Sequence, residues 1–253
     1  MWVLEYYDLI RILVISDLKV KYQSSVLGFL WALLNPLLWL VVLYVVFRNI
    51  RHVSDTSLIL FLFVGIICWR VFASGTSGSV RSISNKPGLV KKIYIPRQIL
   101  VFSVVISNFI SSLLEFVILF AFLILFGAPL SLNLLMFPVL MLIYFGIVYG
   151  VSLALGSLFI FYRDLDNIWA VLMQIGYFLT PVFYQVTDLP EQYQALYLAN
   201  PVSTMMVMFR EIMLFATFPS LPLLGYGTLA AIIILMIGTA IFNRFEPRFA
   251  EGF

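Results

Sequence analysis

Arg70 and Glu115 interrupt long runs of this sequence that are otherwise uncharged. A charge at the centre of a bilayer costs on the order of 3 kcal/mol on insertion scales, so each must face protein, water or a partner. An arginine and a glutamate at that depth can pair across adjacent helices and lock the packing, or they can carry protons. A relay needs a chain of titratable groups, and no Asp or His series accompanies these two, so pairing is the stronger reading. A second group is aromatic. Residues 26–47 carry no charge, yet Asn35-Pro36 sits in their middle, and Trp31, Asn35 and Trp39 recur every four residues on one helix face. Pro36 removes one backbone hydrogen bond and permits a kink. Aromatics near helix ends also form interfacial belts, which is the plainer role for Trp31 and Tyr184.

No catalytic set is present. The sequence lacks a G-x-x-x-x-G-K-[ST] phosphate loop, a G-x-G-x-x-G after a strand and an H-E-x-x-H pair, so nothing in it points to nucleotide hydrolysis. Cys68 is the only cysteine, which excludes an internal disulfide; no metal-ligand spacing exists, and the single histidine, His52, sits beside Arg51 in a polar loop. The glycine-rich SGTSGS at 74–79 fits close helix packing, or a loosened helix end, better than phosphate binding.

The elements that must position these residues are membrane helices. The chain has 253 residues, 63% hydrophobic and 11% charged, where a soluble domain carries about a quarter charged residues. Six apolar segments are expected to cross, at 26–47, 58–80, 99–126, 134–161, 168–185 and 221–242, each near the roughly 20 residues that a bilayer requires. The fold class is therefore an all-α integral membrane protein, a single transmembrane domain over residues 1–253. With the N-terminus in the cytoplasm, Arg11, Lys19, Lys21, Arg81, Lys86, Lys91, Lys92, Arg97, Arg163, Arg244 and Arg248 fall inside, and only Arg48, Arg51 and Arg210 outside. That asymmetry obeys the positive-inside rule and puts both termini in the cytoplasm.

Three further segments stand out. Residues 1–24 read as an amphipathic interface helix, with Glu5, Asp8, Ser16 and Lys19 on one stripe and Tyr6, Ile10, Leu13 and Val14 facing away; Asp17 and Lys21 break the pattern. Residues 186–220 hold short apolar pieces broken at Asn200-Pro201 and Arg210-Glu211, which suggests a re-entrant outer hairpin, or two surface helices. In the inner loop, 85–98, prolines 87 and 96 bracket GLVKKIY, a short helix that either inserts into a cytoplasmic partner or is a basic, lipid-facing loop. In the fourth span Gly146, Gly150 and Ala154 share a close-packing face whose partner is within the chain or in a second copy.

Taken together, KVKYQSSVLGFLWALLNPLL, NKPGLVKKIYIPRQIL, FYRDLDNIW, and TPVFYQ followed by NPVS resemble the permease subunits of type-2 ABC exporters, in the polysaccharide-export branch, over nearly the whole chain. The resemblance implies a homodimeric permease, with no catalytic residue and no cofactor or metal on this chain. ATP and magnesium would bind a separate ATPase subunit present in two copies, and any sugar-binding domain would belong to that subunit. It implies that Pro87, Leu89, Val90, Lys91, Lys92, Ile93 and Tyr94 form the coupling helix, that Arg163, Asp164 and Asp166 form an inner element after the fourth span, and that 186–220 is an outer gate. The cargo would be a lipid-linked O-antigen, capsular polysaccharide or teichoic acid, crossing a bacterial or archaeal cytoplasmic (inner) membrane. Sugar rings have apolar faces on which aromatic side chains stack without buried charge. Trp31, Asn35, Trp39 and Tyr44 in the first span, with Tyr177, Phe178 and Tyr184 in or beside the fifth, are the expected channel lining. An exporter of a drug or lipid has the same architecture and is the alternative. An ion-coupled carrier would need more mid-membrane titratable groups than Glu115, and a membrane scaffold would not need proline-broken spans.

Overall fold

The structure, a computed structural model, describes residues 5–23, 28, 30–51, 56–92 and 95–251. Among the described residues its regular secondary structure is helical, with no strand. Helix α1 spans Tyr7–Gln23, α2 Leu30–Arg51, α3 Thr56–Val80, α4 Pro87–Lys92 and α5 Gln98–Leu125. A short 3₁₀ turn leads into α6, Phe137–Leu158; α7 is Leu165–Leu179, α8 Glu191–Leu198, α9 Pro201–Met213 and α10 Leu221–Phe245.

Four stretches are long and apolar enough to cross a membrane: Ser57–Val80, Gln98–Leu125, Leu132–Leu158 and Leu221–Phe249. Two apolar stretches, Leu33–Arg48 and Leu165–Leu179, are shorter and overlap the expected first and fifth spans. The fifth stops early. A helix to residue 185 was expected, but α7 ends at Leu179 and Thr180 is extended (φ −95°, ψ 143°). Thr180 precedes Pro181, and the proline ring pushes its predecessor out of the helical region. Helix α5 ends where Gly127 takes φ +68°, which lets the Ala128 amide reach back to the Leu123 carbonyl at 2.8 Å.

Helix α3 is the hub, touching α2, α5, α6, α7 and α9. Its residues Leu62, Phe63, Val64, Ile67 and Cys68 are wholly buried. Close approach is possible because Gly65 leaves the Val182 carbonyl and the Arg210 guanidinium where a Cβ would stand. Tyr144 of α6 fastens to α3 by donating its hydroxyl to the Cys68 carbonyl at 2.7 Å. The most extensive pairing joins α6 and α10. A Cβ on Gly150 would lie 2.7 Å from the Ile234 carbonyl, and one on Gly238 would overlap the Gly150 backbone. The small-residue face of the fourth span is thus occupied within the chain. SGTSGS continues α3: Gly75 admits the Val148 side chain and Gly78 that of Asn108.

Helix α9 departs from expectation. Asn200 caps it, its side-chain oxygen accepting the Val202 amide at 3.0 Å, and Pro201 starts it. It then runs unbroken through Arg210-Glu211 to Met213. Arg210, counted above among outer-loop cations, is only 3% exposed. It donates to the carbonyls of Pro181 and Val182 at 2.7 Å each and lies over the Phe61 ring, 3.5 Å from its centroid. Carbonyls released by the break after α7 make its burial tolerable, since a buried charge must find partners.

Candidate functional site

A cleft of about 420 Å³ opens between α2, α3 and α7. Trp39 comes from α2, Ile66, Trp69, Arg70 and Ala73 from one face of α3, and Met173, Gln174, Tyr177 and Phe178 from α7. The Tyr177 ring is 6.0 Å from both Trp39 and Trp69. Rings continue in both directions. Trp69 meets Phe72 at 6.0 Å, and Phe72 meets Trp169 at 6.3 Å; the other way, Tyr177 meets Phe183, then Tyr184, then Tyr197 of α8, at 6.2, 5.3 and 6.0 Å. An unbroken series of ring contacts thus runs from Trp169 near the start of α7 to Tyr197 of α8. The Tyr177 hydroxyl is buried without a hydrogen-bond partner among the described residues.

Arg70 joins the cleft to the interior. Its Nε and Nη2 donate to the two oxygens of Glu115 at 3.0 and 2.9 Å, a bidentate pair, and its Nη1 donates to Asn35 Oδ1 at 3.1 Å. Glu115 is 6% exposed and Arg70 25%. Between them they tie α2, α3 and α5 together at the edge of the cleft. Glu115 ends a polar seam on α5 made by Ser103, Ser107, Asn108, Ser111 and Ser112. Helix α1 packs along that side of α5, burying Ile10, Leu13 and Val14. Lys21 donates to Asn108 Oδ1 at 3.1 Å and to Ser111 Oγ at 3.5 Å. Burial pushes the Lys21 ammonium below the usual lysine value, while the Glu115 carboxylate opposes that and Arg70 adds to it. Asp17 accepts from Lys86, which precedes α4, with the ion pair at 2.8 Å. At the start of α7, Asp166 pairs with Arg81 at 2.6 Å, and the Arg163 guanidinium lies 5.4 Å from the Phe159 ring centre.

Residues 8–214 match the ABC-2 type transporter membrane family. The chain belongs to the ABC-2 type transporter family. This ABC-2 chain is similar to the O-antigen export system permease protein RfbA of Klebsiella pneumoniae, 29% identical over 246 residues, covering 97% of this chain and 95% of that one. It is similar to RfbA of Myxococcus xanthus, 28% identical over 250 residues, covering 98% and 96%. It also resembles the polysialic acid transport protein KpsM of Escherichia coli, 23% identical over 251 residues, covering 94% and 93%.

In the ABC-2 chain, Trp39, Tyr177 and Phe178 share the cleft, and Asn35 reaches it through Arg70. Tyr184 stands farther along the ring series. Trp31 is exposed away from it, and Tyr44 lies under Arg48 at 5.9 Å. Of the expected coupling helix, Pro87 and Leu89 are described, with Leu89 half-buried; the side chains of Val90, Lys91 and Lys92, and the residues Ile93 and Tyr94, lie outside the described residues, as does His52. Trp69, Gln174 and Met173 were not foreseen. The signal for Trp69 was available, because Ile66, Trp69, Arg70 and Ala73 follow the three-and-four spacing of one helix face around the arginine.

Proposed function

We propose that this chain is the permease subunit of an ATP-driven exporter that carries a lipid-linked polysaccharide, of O-antigen, capsular or teichoic-acid type, across the cytoplasmic membrane. The carrying observation is the aromatic cleft and the ring contacts that continue from it through α3 and past the end of α7 to α8. Aromatic rings with centroids 5.3–6.2 Å apart, with Gln174 beside them, suit a chain of pyranose rings that is apolar on its faces and hydroxylated on its rim. The chain supplies no chemistry to the cargo. ATP and magnesium are held by an ATPase subunit, and this subunit converts that motor's motion into passage of the glycan.

In this reading α2 and α7 complete six crossings with both termini in the cytoplasm, α1 lies at the inner boundary, and α8 and α9 form the outer gate. The loop 85–98 presents α4 to the ATPase. Exposed apolar residues on α2 (Leu38, Val41, Val42) and α7 (Ile168, Val171, Leu172) flank the open cleft. A second copy of the permease closes the cleft on that side, giving a homodimer with two ATPase subunits.

The experiment is export of the glycan by cells carrying Trp39→Ala or Tyr177→Ala, with the amount of folded permease measured alongside. Stacking contributes on the order of 1 kcal/mol per ring, so each substitution should reduce export about fivefold while permease abundance holds. Undiminished export in the Trp39→Ala, Tyr177→Ala double variant would reject the stacking role.

A further inference from the structure

Two cavities, of about 400 and 350 Å³, open beside the first turns of α3, at the end of that helix opposite α4. They share Phe61, Gln185 and Phe215 in their walls and adjoin as one groove. None of the groove's residues lines the aromatic cleft. Arg210 and Glu211 of α9 both line it. Arg210 Nη1 and Nη2 are engaged by the carbonyls of Pro181, Val182 and Phe61. Its Nε, and Oε2 of Glu211, are buried without a hydrogen-bond partner among the described residues. Buried polar atoms are almost always paired, and each exception calls for an explanation. The wall at 215–217 is held in place. The Glu211 carbonyl accepts the Thr217 amide at 3.0 Å and its hydroxyl at 3.3 Å, while Asn133 donates to the Ala216 carbonyl at 2.7 Å. Ala216 takes φ +53°, a conformation costly to a residue other than glycine and kept only where surrounding contacts enforce it.

We propose that this groove is a second ligand site, and that it takes a neutral, hydroxyl-rich ring, a saccharide unit. The adjacent charges of Arg210 and Glu211 offset each other, so the site favours neither an anion nor a cation. What it lacks is a donor for Glu211 Oε2 and an acceptor for Arg210 Nε. A hydroxyl is both, and neighbouring hydroxyls on one sugar ring meet the two needs together. Phe215, 55% exposed, offers its ring to the apolar face of the sugar. Gln185, Thr187 and Thr217 complete a polar rim, and the cavities are of ligand size. The sugar is a unit of the exported chain or a free saccharide at this end of the molecule. The first source rests on the functional reading above; the second does not.

The probes are methyl glycosides of glucose, galactose, mannose and rhamnose. They are presented to the permease in lipid nanodiscs free of sugar-headed detergent, and binding is titrated by saturation-transfer NMR. The Trp39→Ala, Tyr177→Ala chain serves as background, which removes stacking in the cleft. At least one glycoside should bind. Glu211→Ala should weaken it about tenfold, and Gln185→Ala, on the exposed rim, about threefold. Where Glu211→Ala lowers the yield of folded permease, Gln185→Ala alone decides. No binding by any of the four, or equal binding after these substitutions, overturns the proposal. Export by cells carrying Glu211→Ala or Gln185→Ala then identifies the source. Reduced export at unchanged permease abundance assigns the groove to the exported chain, and unchanged export with weakened binding assigns it to a free saccharide. Because binding is measured on the permease alone, it can fail while ATP-driven export stands, and a complex that exports nothing refutes the functional reading without touching the groove.

Discussion

At the scale of single residues, the Arg70–Glu115 pair joins α3 and α5 by two charge-assisted hydrogen bonds. It is bidentate, and Glu115 is nearly inaccessible. Removing one partner of such a pair leaves an uncompensated buried charge, at about 3 kcal/mol or more. Arg70→Ala should therefore lower the melting temperature of the purified protein, and Glu115→Gln added to it should recover a substantial part. A double variant no more stable than Arg70→Ala would mean that the two side chains are not energetically coupled. The pairing was legible in the sequence, since two lone charges in apolar runs have few other options. Arg210 was not. Its partners are the backbone carbonyls of Pro181 and Val182, freed by the end of α7, and that of Phe61 within α3, and side-chain pattern carries no trace of them. Hydropathy read it as an outer-loop cation, when it is a strut under that break. Trp69 carries a quieter signal: it stands next to Arg70 and shares one helix face with Ile66, Arg70 and Ala73.

Helices were legible in kind and less so in their ends. Long apolar runs announced α3, α5, α6 and α10, and Asn200-Pro201 carried the capping signal that starts α9. The early stop of α7 follows from Pro181, though the apolar residues beyond it concealed this. What no single sequence discloses is which helix meets which. The glycines of α6 left their partner open, and the structure assigns it to α10, where Gly150 and Gly238 bring the two backbones into contact. That contact is a prediction at this scale. Gly150→Leu must push a side chain into the Ile234 backbone, and overpacking of this kind costs about 1–3 kcal/mol or more. The melting temperature should fall clearly, whereas Gly225→Ala on the same α10, where a Cβ meets nothing within 4 Å, should not destabilise. Equal stability of the two variants would show that α6 and α10 are not in backbone contact. Helix α1 gives the same lesson in another form. Its amphipathic stripe was visible, but the exceptions to it, Asp17 and Lys21, are the residues that make specific contacts.

At the scale of the whole molecule, the proposed function makes this chain a conduit that performs no chemistry and is driven from outside itself. In the proposed reading the aromatic cleft supplies the path, the seam on α5 and the hub α3 hold that path in place, and the 85–98 loop is where force enters. Proteins of this kind separate the fuel from the cargo, so the two can be supplied and withheld independently. The decisive measurement is therefore reconstitution: the purified permease in proteoliposomes, alone and with its ATPase subunit, assayed together for ATP hydrolysis and for passage of the lipid-linked glycan. The permease alone should neither hydrolyse ATP nor move the glycan, and the complex should do both, with transport ceasing when hydrolysis is blocked. Hydrolysis by the permease alone, or glycan transport sustained by an ion gradient without the ATPase, would contradict the account.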